Sequence, residues 1–296
     1  MQEDINQRKL VDHLYKQIQR LTGLIILLVI GIIAFAVMSI YSVHFSWGEK
    51  VDTQAIEINQ KANLEWDKEK AAKKELETYW SAADIYKVKD ETLYKKLQYG
   101  RELISHTAKY FGPRGSVRKI SNGLNCQNCH LDAGNKIWGN NYGAVFSTYP
   151  KYRARSGQIE DIYKRVNDCF ERSLNGQPLD NNSPEMQAIK AYIEFVGKDV
   201  PKGEKPKGSG IFALPFLDRA IDPIQGAKIY AAKCQSCHQA NGQGILAADS
   251  VEYTCPPLWG ANSYNIGAGL YRMSRFAGYI KYNMPQGVNF PESQLT

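Results

Sequence analysis

The chain has 296 residues, 43% of them hydrophobic, with 37 Lys and Arg against 30 Asp and Glu and a net charge of +7. This length suits about two folded domains, and the apolar content excludes a wholly disordered chain. The mild positive charge is compatible with anionic small molecules or an acidic redox partner, and no motif indicates nucleic-acid binding.

The first predicted element is a membrane-spanning helix. Residues 21–41 contain no charge, and as a helix they span about 30 Å, enough for a bilayer core. The flank before this run carries Arg8, Lys9, Lys16 and Arg20, and the flank after it begins with Glu49, Lys50 and Asp52. The positive-inside rule therefore places the N-terminus in the cytoplasm and the later domains in the periplasm.

A cleaved signal peptide is the alternative interpretation of this run. Its small-x-small sequence, residues 34–36, lies within the apolar run, where it is poorly placed for cleavage. We therefore expect residues 1–48 to be a retained single-pass anchor in the inner membrane. Residues 49–91 follow with closely mixed Lys and Glu, which predicts a helical stalk. A solvated helix without any other role is the simpler interpretation of the same charges.

Residues 94–110 show a helical apolar period that includes Leu97, Leu103 and Ile104. Gly100 interrupts this helix at a cost of about 1 kcal/mol relative to Ala, and such a glycine is typical of a close helix–helix contact.

Two Cys-x-x-Cys-His motifs follow, Cys126–His130 as CQNCH and Cys234–His238 as CQSCH. Two thiols at this spacing can each form a thioether to a haem vinyl group, and the next His then faces the iron. A shared zinc site or a redox disulfide is the alternative, but each Cys pair already has its own adjacent His. The motifs therefore predict two covalently bound haem c groups, which are attached outside the cytoplasm, and a redox function. The haem-attaching residues are Cys126, Cys129, His130, Cys234, Cys237 and His238.

Between the motifs we predict a helix over residues 159–174 and another from Pro184 to Val196, with Ser183 as its N-cap and Gly197 as its stop. Strand signals are scarce, so the predicted fold is mostly α, with two tandem cytochrome c-type haem domains after the anchor and stalk. We expect the first haem domain over residues 92–197, a linker over 198–222 and the second haem domain over 223–296.

The second axial ligand decides whether a haem only passes electrons or also performs chemistry. For the second haem we predict Met284, which precedes Pro285 late in the domain. Met273 is the rival, but it falls in a predicted helix, where a Met usually packs in the core.

For the first haem, the most interesting residue is Cys169. It shares a helix face with Arg165 and Ser173, each four residues away, and a cationic neighbour favours a thiolate. Iron ligation, a buried inert thiol and a disulfide with Cys255 all remain open from spacing alone. Met186 is the one Met between His130 and the linker, and its position favours helix packing.

Several stretches of the chain resemble the thiosulfate dehydrogenase (tetrathionate-forming) family of dihaem cytochromes c. They are SNGLNCQNCHLDAG at 121–134, GNNYGAVFSTYPKYRARSG at 139–157, NDCFERSLNG at 167–176 and PPLWGANSY at 256–264. The similarity covers about residues 92–290, and the segment around Cys169 is far more specific than the two haem motifs.

The resemblance implies that two thiosulfates are joined to tetrathionate with release of two electrons, reversibly in some members. It implies a catalytic first haem ligated by His130 and Cys169, and an electron-relay second haem ligated by His238 and Met284. Arg155, Arg165 and Ser173 match the family's active-site region, and Arg153 and Arg172 are further candidates for the anions. Asn283 stands where some members have a Lys, so no Lys/Met ligand exchange is expected.

A membrane-anchored electron carrier, such as a dihaem subunit of a respiratory complex, is the alternative function. The anchor and stalk lie outside the resemblance and could dock the protein to a quinol-linked or oxidase complex, and the redox partner is expected to be a soluble cytochrome or a membrane respiratory complex. The sequence after Pro291 offers no closing helix for the second domain, and Cys255 has no assigned role.

Overall fold

A computed structural model describes residues 2–46 and 53–287. The chain divides into two compact units, residues 1–70 and 71–296. The first unit begins with helix α1, Gln2–Ser46, and helix α2 spans Thr53–Leu76. Leu10–Ser42 is apolar enough to cross a membrane by length and composition, with a window of mean hydropathy 3.0, although a signal sequence near the N-terminus satisfies the same criterion. The flanking Glu49, Lys50 and Asp52 lie outside the described residues.

The second unit is mostly helical, as expected. Its helices are α3 Glu91–Ser105, α4 Thr107–Phe111, α5 Leu131–Gly134, α6 Val145–Thr148, α7 Ile162–Arg172, α8 Pro184–Val196, α9 Pro223–Lys233, α10 Gln235–His238 and α11 Met273–Asn283. Short 3-10 turns cover Ile85–Lys87, Cys126–Asn128 and Gly269–Tyr271. Two small antiparallel hairpins complete it: β1 Lys151–Arg153 with β2 Gln158–Glu160, and β3 Ile245–Leu246 with β4 Tyr253–Cys255.

Helices α3 and α8 cross closely and form the centre of the first haem domain. A Cβ on Gly100 would lie 2.7 Å from the carbonyl carbon of Ala188 and 2.8 Å from Cβ of Tyr192, which confirms the expected close contact. Helix α8 begins as predicted, because Ser183 accepts a hydrogen bond from the Met186 backbone and Pro184 occupies the first turn. Met186 is fully buried, as its packing role requires.

Helix boundaries differ from the sequence prediction in two places. The predicted helix over 94–110 divides at His106, whose backbone leaves the helical region between α3 and α4. The predicted helix over 159–174 begins only at Ile162, because strand β2 occupies the residues before it and Asp161 caps the helix through the Lys164 backbone.

The predicted stalk is shorter as a helix than expected. Helix α2 ends at Leu76, and the following segment packs on the first haem domain: Trp80 is buried and its backbone donates to Lys207 O at 2.9 Å, while Ala83 donates to Val196 O at 3.1 Å. Hydrogen bonding to these backbone groups explains why the segment is not a free solvated helix.

The second haem domain packs against the first through polar contacts. His106 Nδ1 lies 3.0 Å from Glu252 Oε2, and Asn122 donates to Ser263 O at 2.9 Å. Helix α9, by contrast, contains no buried residue within the described part of the chain. The sequence after Pro291, where no closing helix was expected, lies outside the described residues.

Candidate active site

The first haem motif is hydrogen-bonded to the first turn of α4. Asn125 Oδ1 accepts from the Ala108 backbone at 2.8 Å, and the Asn125 backbone donates to Asn128 Oδ1 at 2.7 Å. The Cys126 backbone donates to the buried hydroxyl of Thr107 at 3.0 Å. Side-chain oxygens therefore satisfy the backbone donors of this turn and fix the directions in which Cys126 and Cys129 point.

His130 is oriented by a backbone carbonyl and by an aromatic ring. Its Nδ1 lies 2.5 Å from Asn140 O, and its ring stacks on Tyr142 with centroids 4.7 Å apart. Because Nδ1 donates this hydrogen bond, Nε2 is the nitrogen available to a metal. Burial lowers the pKa of His130 to about 4, so the imidazole is neutral, which is the form that ligates iron.

Helix α7 brings Cys169 to this motif. Burial is the largest cause that raises the pKa of Cys126 and of Cys129 to about 12, and Cys169 contributes to the increase at both, so Cys169 lies within electrostatic range of the motif. Cys169 itself is half-buried, and all six cysteines are free thiols in the structure. Cys169 therefore lies beside the first motif, whereas Cys255 lies with the second.

Arg165 joins these groups. Cys169 is the largest cause of its raised pKa, and Arg165 in turn helps to lower the pKa of His130. The predicted pairing of Arg165 with Cys169 on one face of α7 is therefore present, one helical turn apart.

Two further arginines predicted for the site, Arg153 and Arg155, differ in burial and in hydrogen-bond partners. Arg153 is half-buried, with Nε 3.7 Å from Oε2 of buried Glu160. Arg155 is exposed and donates through Nη2 to Gly267 O, and burial together with Arg172 and Arg272 lowers its pKa. Arg155 thus reaches from the first haem domain to the second.

Ser173 ends α7, and its backbone N–H donates to Cys169 O at 2.8 Å. Arg172 is half-buried and bonded to Oδ2 of buried Asp168 at 3.0 Å. Asp168 also pairs with Lys164, and because its ion pair engages the Arg172 guanidinium, Arg172 is the weakest of the arginine candidates.

The second motif lines one cavity together with Met284. His238 Nδ1 lies 2.8 Å from Pro256 O, which again leaves Nε2 available. The cavity is lined by Cys234, Cys237, His238, Cys255, Met284 and Tyr279, among others. The expectation that Met273 packs in the core is wrong: it begins α11 with 62% of its surface exposed, because the helix presents Tyr279 and Asn283 to the interior instead.

The same cavity reaches the first motif. Asn128 and Cys129 also line it, and the buried Tyr279 donates its hydroxyl hydrogen to Asn128 O at 2.8 Å. Asn283 donates to Trp138 O at 3.1 Å. Helix α11, which leads to Met284, is therefore bonded directly to the loops that carry the first motif.

Sequence reasoning missed several residues of the site, namely Tyr149, Lys151, Glu160 and Tyr279. Three of them lie on or beside the β1–β2 hairpin, which is too short to give a strand signal. The pairing of Lys151 with Glu160 across this hairpin becomes visible only in the structure. Cys255 was left without a role, and the structure places it with Cys237 in the lining of the cavity at the second motif.

The donor sets fit two haem c groups. Each motif supplies two thiols and a histidine whose Nδ1 is engaged by a backbone carbonyl, and each has a sulfur-bearing side chain nearby, Cys169 or Met284. Thiolate and thioether sulfur are both known axial ligands of haem iron. Within residues 2–46 and 53–287, no cluster of three or more His, Cys, Asp and Glu side chains forms an ordinary metal site.

Comparison with known proteins agrees with this arrangement. Residues 116–201 match the family described as SoxA/TsdA, cytochrome c domain, and residues 224–286 match the cytochrome c family. The chain is 37% identical over 204 residues to a thiosulfate dehydrogenase of Allochromatium vinosum, covering 68% of this chain and 73% of that protein. It is 36% identical over 202 residues to a thiosulfate dehydrogenase of Psychrobacter arcticus, covering 68% of this chain and 59% of that protein.

Among solved structures, the as-isolated form of thiosulfate dehydrogenase (TsdBA) from Marichromatium purpuratum is similar, with a TM-score of 0.66 and 30% identity. The match covers 71% of this chain and 45% of that one. The chain therefore spans less than two thirds of the length of the Psychrobacter arcticus protein and less than half of the Marichromatium purpuratum chain.

Proposed function

Because the chain belongs to the SoxA/TsdA family of c-type cytochromes, we propose that it interconverts thiosulfate and tetrathionate. The haem groups supply one-electron transfer, so two of them can take up the two electrons that are released when two thiosulfates join. The observation that carries the proposal is the position of Cys169 and Arg165 beside the first haem motif. An electron carrier needs no anion-binding guanidinium next to a thiol at its cofactor.

Charge is the main obstacle to this reaction. Two dianions about 5 Å apart repel each other by roughly 13 kcal/mol at an effective dielectric constant of 20, so several cations must surround them. Arg165 is half-buried beside Cys169. Its charge acts on Arg155, and both Arg165 and Arg153 act on the nearby Tyr149 hydroxyl. We assign these guanidinium groups to the sulfonate oxygens, which they can bind through paired N–H donors.

The ligand assignments belong to the same proposal. His130 and Cys169 would hold the first iron, and His238 and Met284 the second. Ser173 ends the helix turn that begins at Cys169, so its hydroxyl is assigned to a substrate oxygen. The second haem would relay electrons outward, and helix α11, which bonds to the first motif through Tyr279 and leads to Met284, would hold its site against the first.

The test uses the holoprotein with thiosulfate as donor and ferricyanide as acceptor. Wild type is expected to reduce ferricyanide, and both Cys169→Gly and Cys169→Met to lose turnover by at least a hundredfold while retaining two haem groups per chain. The Met variant separates the roles, because a thioether can still ligate iron but carries no thiolate charge. Full activity in either variant would remove Cys169 from the mechanism, and a wild-type protein that passes electrons without oxidising thiosulfate would be an electron carrier.

We also propose that α1 remains as a single-pass anchor in the inner membrane, with the N-terminus cytoplasmic and the haem domains periplasmic. The uncharged run within Leu10–Ser42 and the basic residues before it support this topology. The redox partner would then be a soluble cytochrome or a membrane respiratory complex. Full-length chain is expected in alkali-washed membranes, and a soluble periplasmic form shortened by the length of α1 would instead identify a signal sequence.

A further inference from the structure

A second group of cations lies on the β1–β2 hairpin, beside the residues used above. Lys151 is half-buried there, with Nζ 4.6 Å from the centre of the Tyr149 ring and 3.4 Å from Thr148 Oγ1. Neither partner carries a negative charge that would balance the ammonium group. A half-buried Lys without a directly bonded carboxylate in the described part of the chain is costly unless it meets an anion.

The segment after the first haem domain adds another cation to the same place. The backbone of Gly203 donates to Ser147 O at 2.8 Å, and the Ser147 hydroxyl donates to Glu204 O at 2.7 Å. These bonds fasten the segment just before the hairpin and place Lys205 near Lys151. The pKa of Lys151 is accordingly lowered, first by burial and then by the charges of Arg153, Lys205 and Arg165.

The negative charge available here is small. Glu160, which faces Lys151 across the hairpin, is buried, and its Oε1 accepts from the Ser156 hydroxyl at 2.6 Å. Its Oε2 accepts no hydrogen bond from any described residue, and the nearest cation is Arg153 Nε at 3.7 Å. At Lys151 itself, Glu160 is the one carboxylate that opposes the charges of Arg153, Lys205 and Arg165, which leaves positive surroundings that suit an oxyanion.

The chemistry of tetrathionate formation explains why two such cation groups are needed. The new S–S bond joins the outer sulfurs of two thiosulfates, two electrons leave to the one-electron cofactors, and no proton is exchanged. The two sulfonate groups therefore lie at opposite ends of the product and cannot share one oxyanion pocket. Arg165 influences both Lys151 and Arg155, so both groups of cations lie within electrostatic range of it.

We propose that Lys151, Arg153 and Lys205 form a second oxyanion subsite, which holds the sulfonate of one thiosulfate while Arg155 and Arg165 hold the other. This inference rests on the proposed function and adds the place of the second substrate. Lys151 is the specific residue, because it is half-buried and faces the site from the hairpin, whereas Lys205 is exposed at its rim.

The experiment compares Lys151→Gln with Lys95→Gln in the full-length holoprotein. Both variants lose one positive charge. Lys95, however, is an exposed residue of α3 that pairs with Glu91 and takes no part in the proposed subsite. We expect the half-saturating thiosulfate concentration to rise about tenfold in Lys151→Gln, the loss expected for one charge-assisted hydrogen bond, and by less than twofold in Lys95→Gln. The rate at saturation should change less than twofold, and Lys151→Arg should restore the affinity.

Calorimetric titration with sulfate, a dianion that the protein cannot oxidise, gives a readout independent of turnover. Wild type and Lys95→Gln are expected to bind two sulfates per chain, and Lys151→Gln one. Equal kinetics and equal sulfate stoichiometry in the two variants would overturn the second subsite while leaving the proposed function in place. A wild type that binds two sulfates but does not oxidise thiosulfate would refute the proposed function and retain the anion subsite.

Discussion

Replacing Gly100 by Ala tests the packing that holds the first haem domain together. The added methyl group would lie 2.7 Å from the carbonyl carbon of Ala188 and 2.8 Å from Cβ of Tyr192, whereas ordinary contacts begin at 3.4 Å. The Ala188 carbonyl oxygen is the nearest atom of all, and relief of the 2.7 Å contact alone requires helices α3 and α8 to separate by about 0.7 Å. Overpacking of this kind costs up to about 3 kcal/mol, and the better helix propensity of Ala returns about 1 kcal/mol.

The net expectation is a loss of about 2 kcal/mol in the free energy of unfolding. For a unit of this size, that loss lowers the midpoint of thermal unfolding by roughly 4–8 °C. Circular dichroism at a helical wavelength, on holoprotein with both haem groups attached, measures the midpoint.

Gly226→Ala is the matched control. Gly226 also lies within a helix, α9, but a Cβ there meets no atom within 4 Å. The same substitution should therefore raise stability by up to about 1 kcal/mol through helix propensity alone. Equal effects of the two substitutions, or a stabilised Gly100→Ala, would refute the claim that backbone contact between α3 and α8 requires this glycine.

Two further outcomes follow from the site. Tyr279→Phe leaves the carbonyl of Asn128 without its donor in a buried position, so the free energy of unfolding should fall by about 1–2 kcal/mol, while Tyr271→Phe at an exposed position should leave it unchanged in a denaturant titration. Burial and the facing charges of Arg153, Lys205 and Arg165 lower the pKa of Lys151, against a smaller opposing effect of Glu160. Lys151 therefore loses its charge at a lower pH than an ordinary lysine, so the affinity for thiosulfate should weaken as the pH rises into the alkaline range. An arginine stays charged there, so Lys151→Arg should not show this loss. The same alkaline loss of affinity in Lys151→Arg would contradict the assignment to Lys151.

Some parts of the site can be predicted from sequence because they depend on short spacings. A Cys-x-x-Cys-His motif brings its thiols and its imidazole together whatever surrounds it, and Arg165 reaches Cys169 because residues four apart share a helix face. Ser183 and Pro184 start α8 for equally local reasons, through a hydroxyl cap and a fixed backbone angle. Such features need no knowledge of the rest of the chain.

Other parts depend on contacts between distant segments. Pro285 favoured Met284 over Met273 from sequence, but only the direction of α11 shows that Met273 is exposed rather than packed in the core, while Met284 lines the cavity with His238. The stalk prediction extended too far for the same reason, since the residues after Leu76 are bound by backbone groups more than a hundred residues away.

The amino-acid sequence by itself determined the two haem-attachment sites, the helical character, the apolar N-terminal segment and the pairing of a thiol with a guanidinium on one helix face, because each depends on residues within one or two turns. Tertiary structure alone decided that Glu160 and Lys205 come within electrostatic range of Lys151, that Lys151 and Glu160 come within electrostatic range of Arg165, and that Tyr279 connects the second domain to the first motif. These charges come from the β1–β2 hairpin, from the segment that carries Lys205 and from helix α7. Because the three segments are separate in the chain, no local sequence pattern predicts that they approach one another.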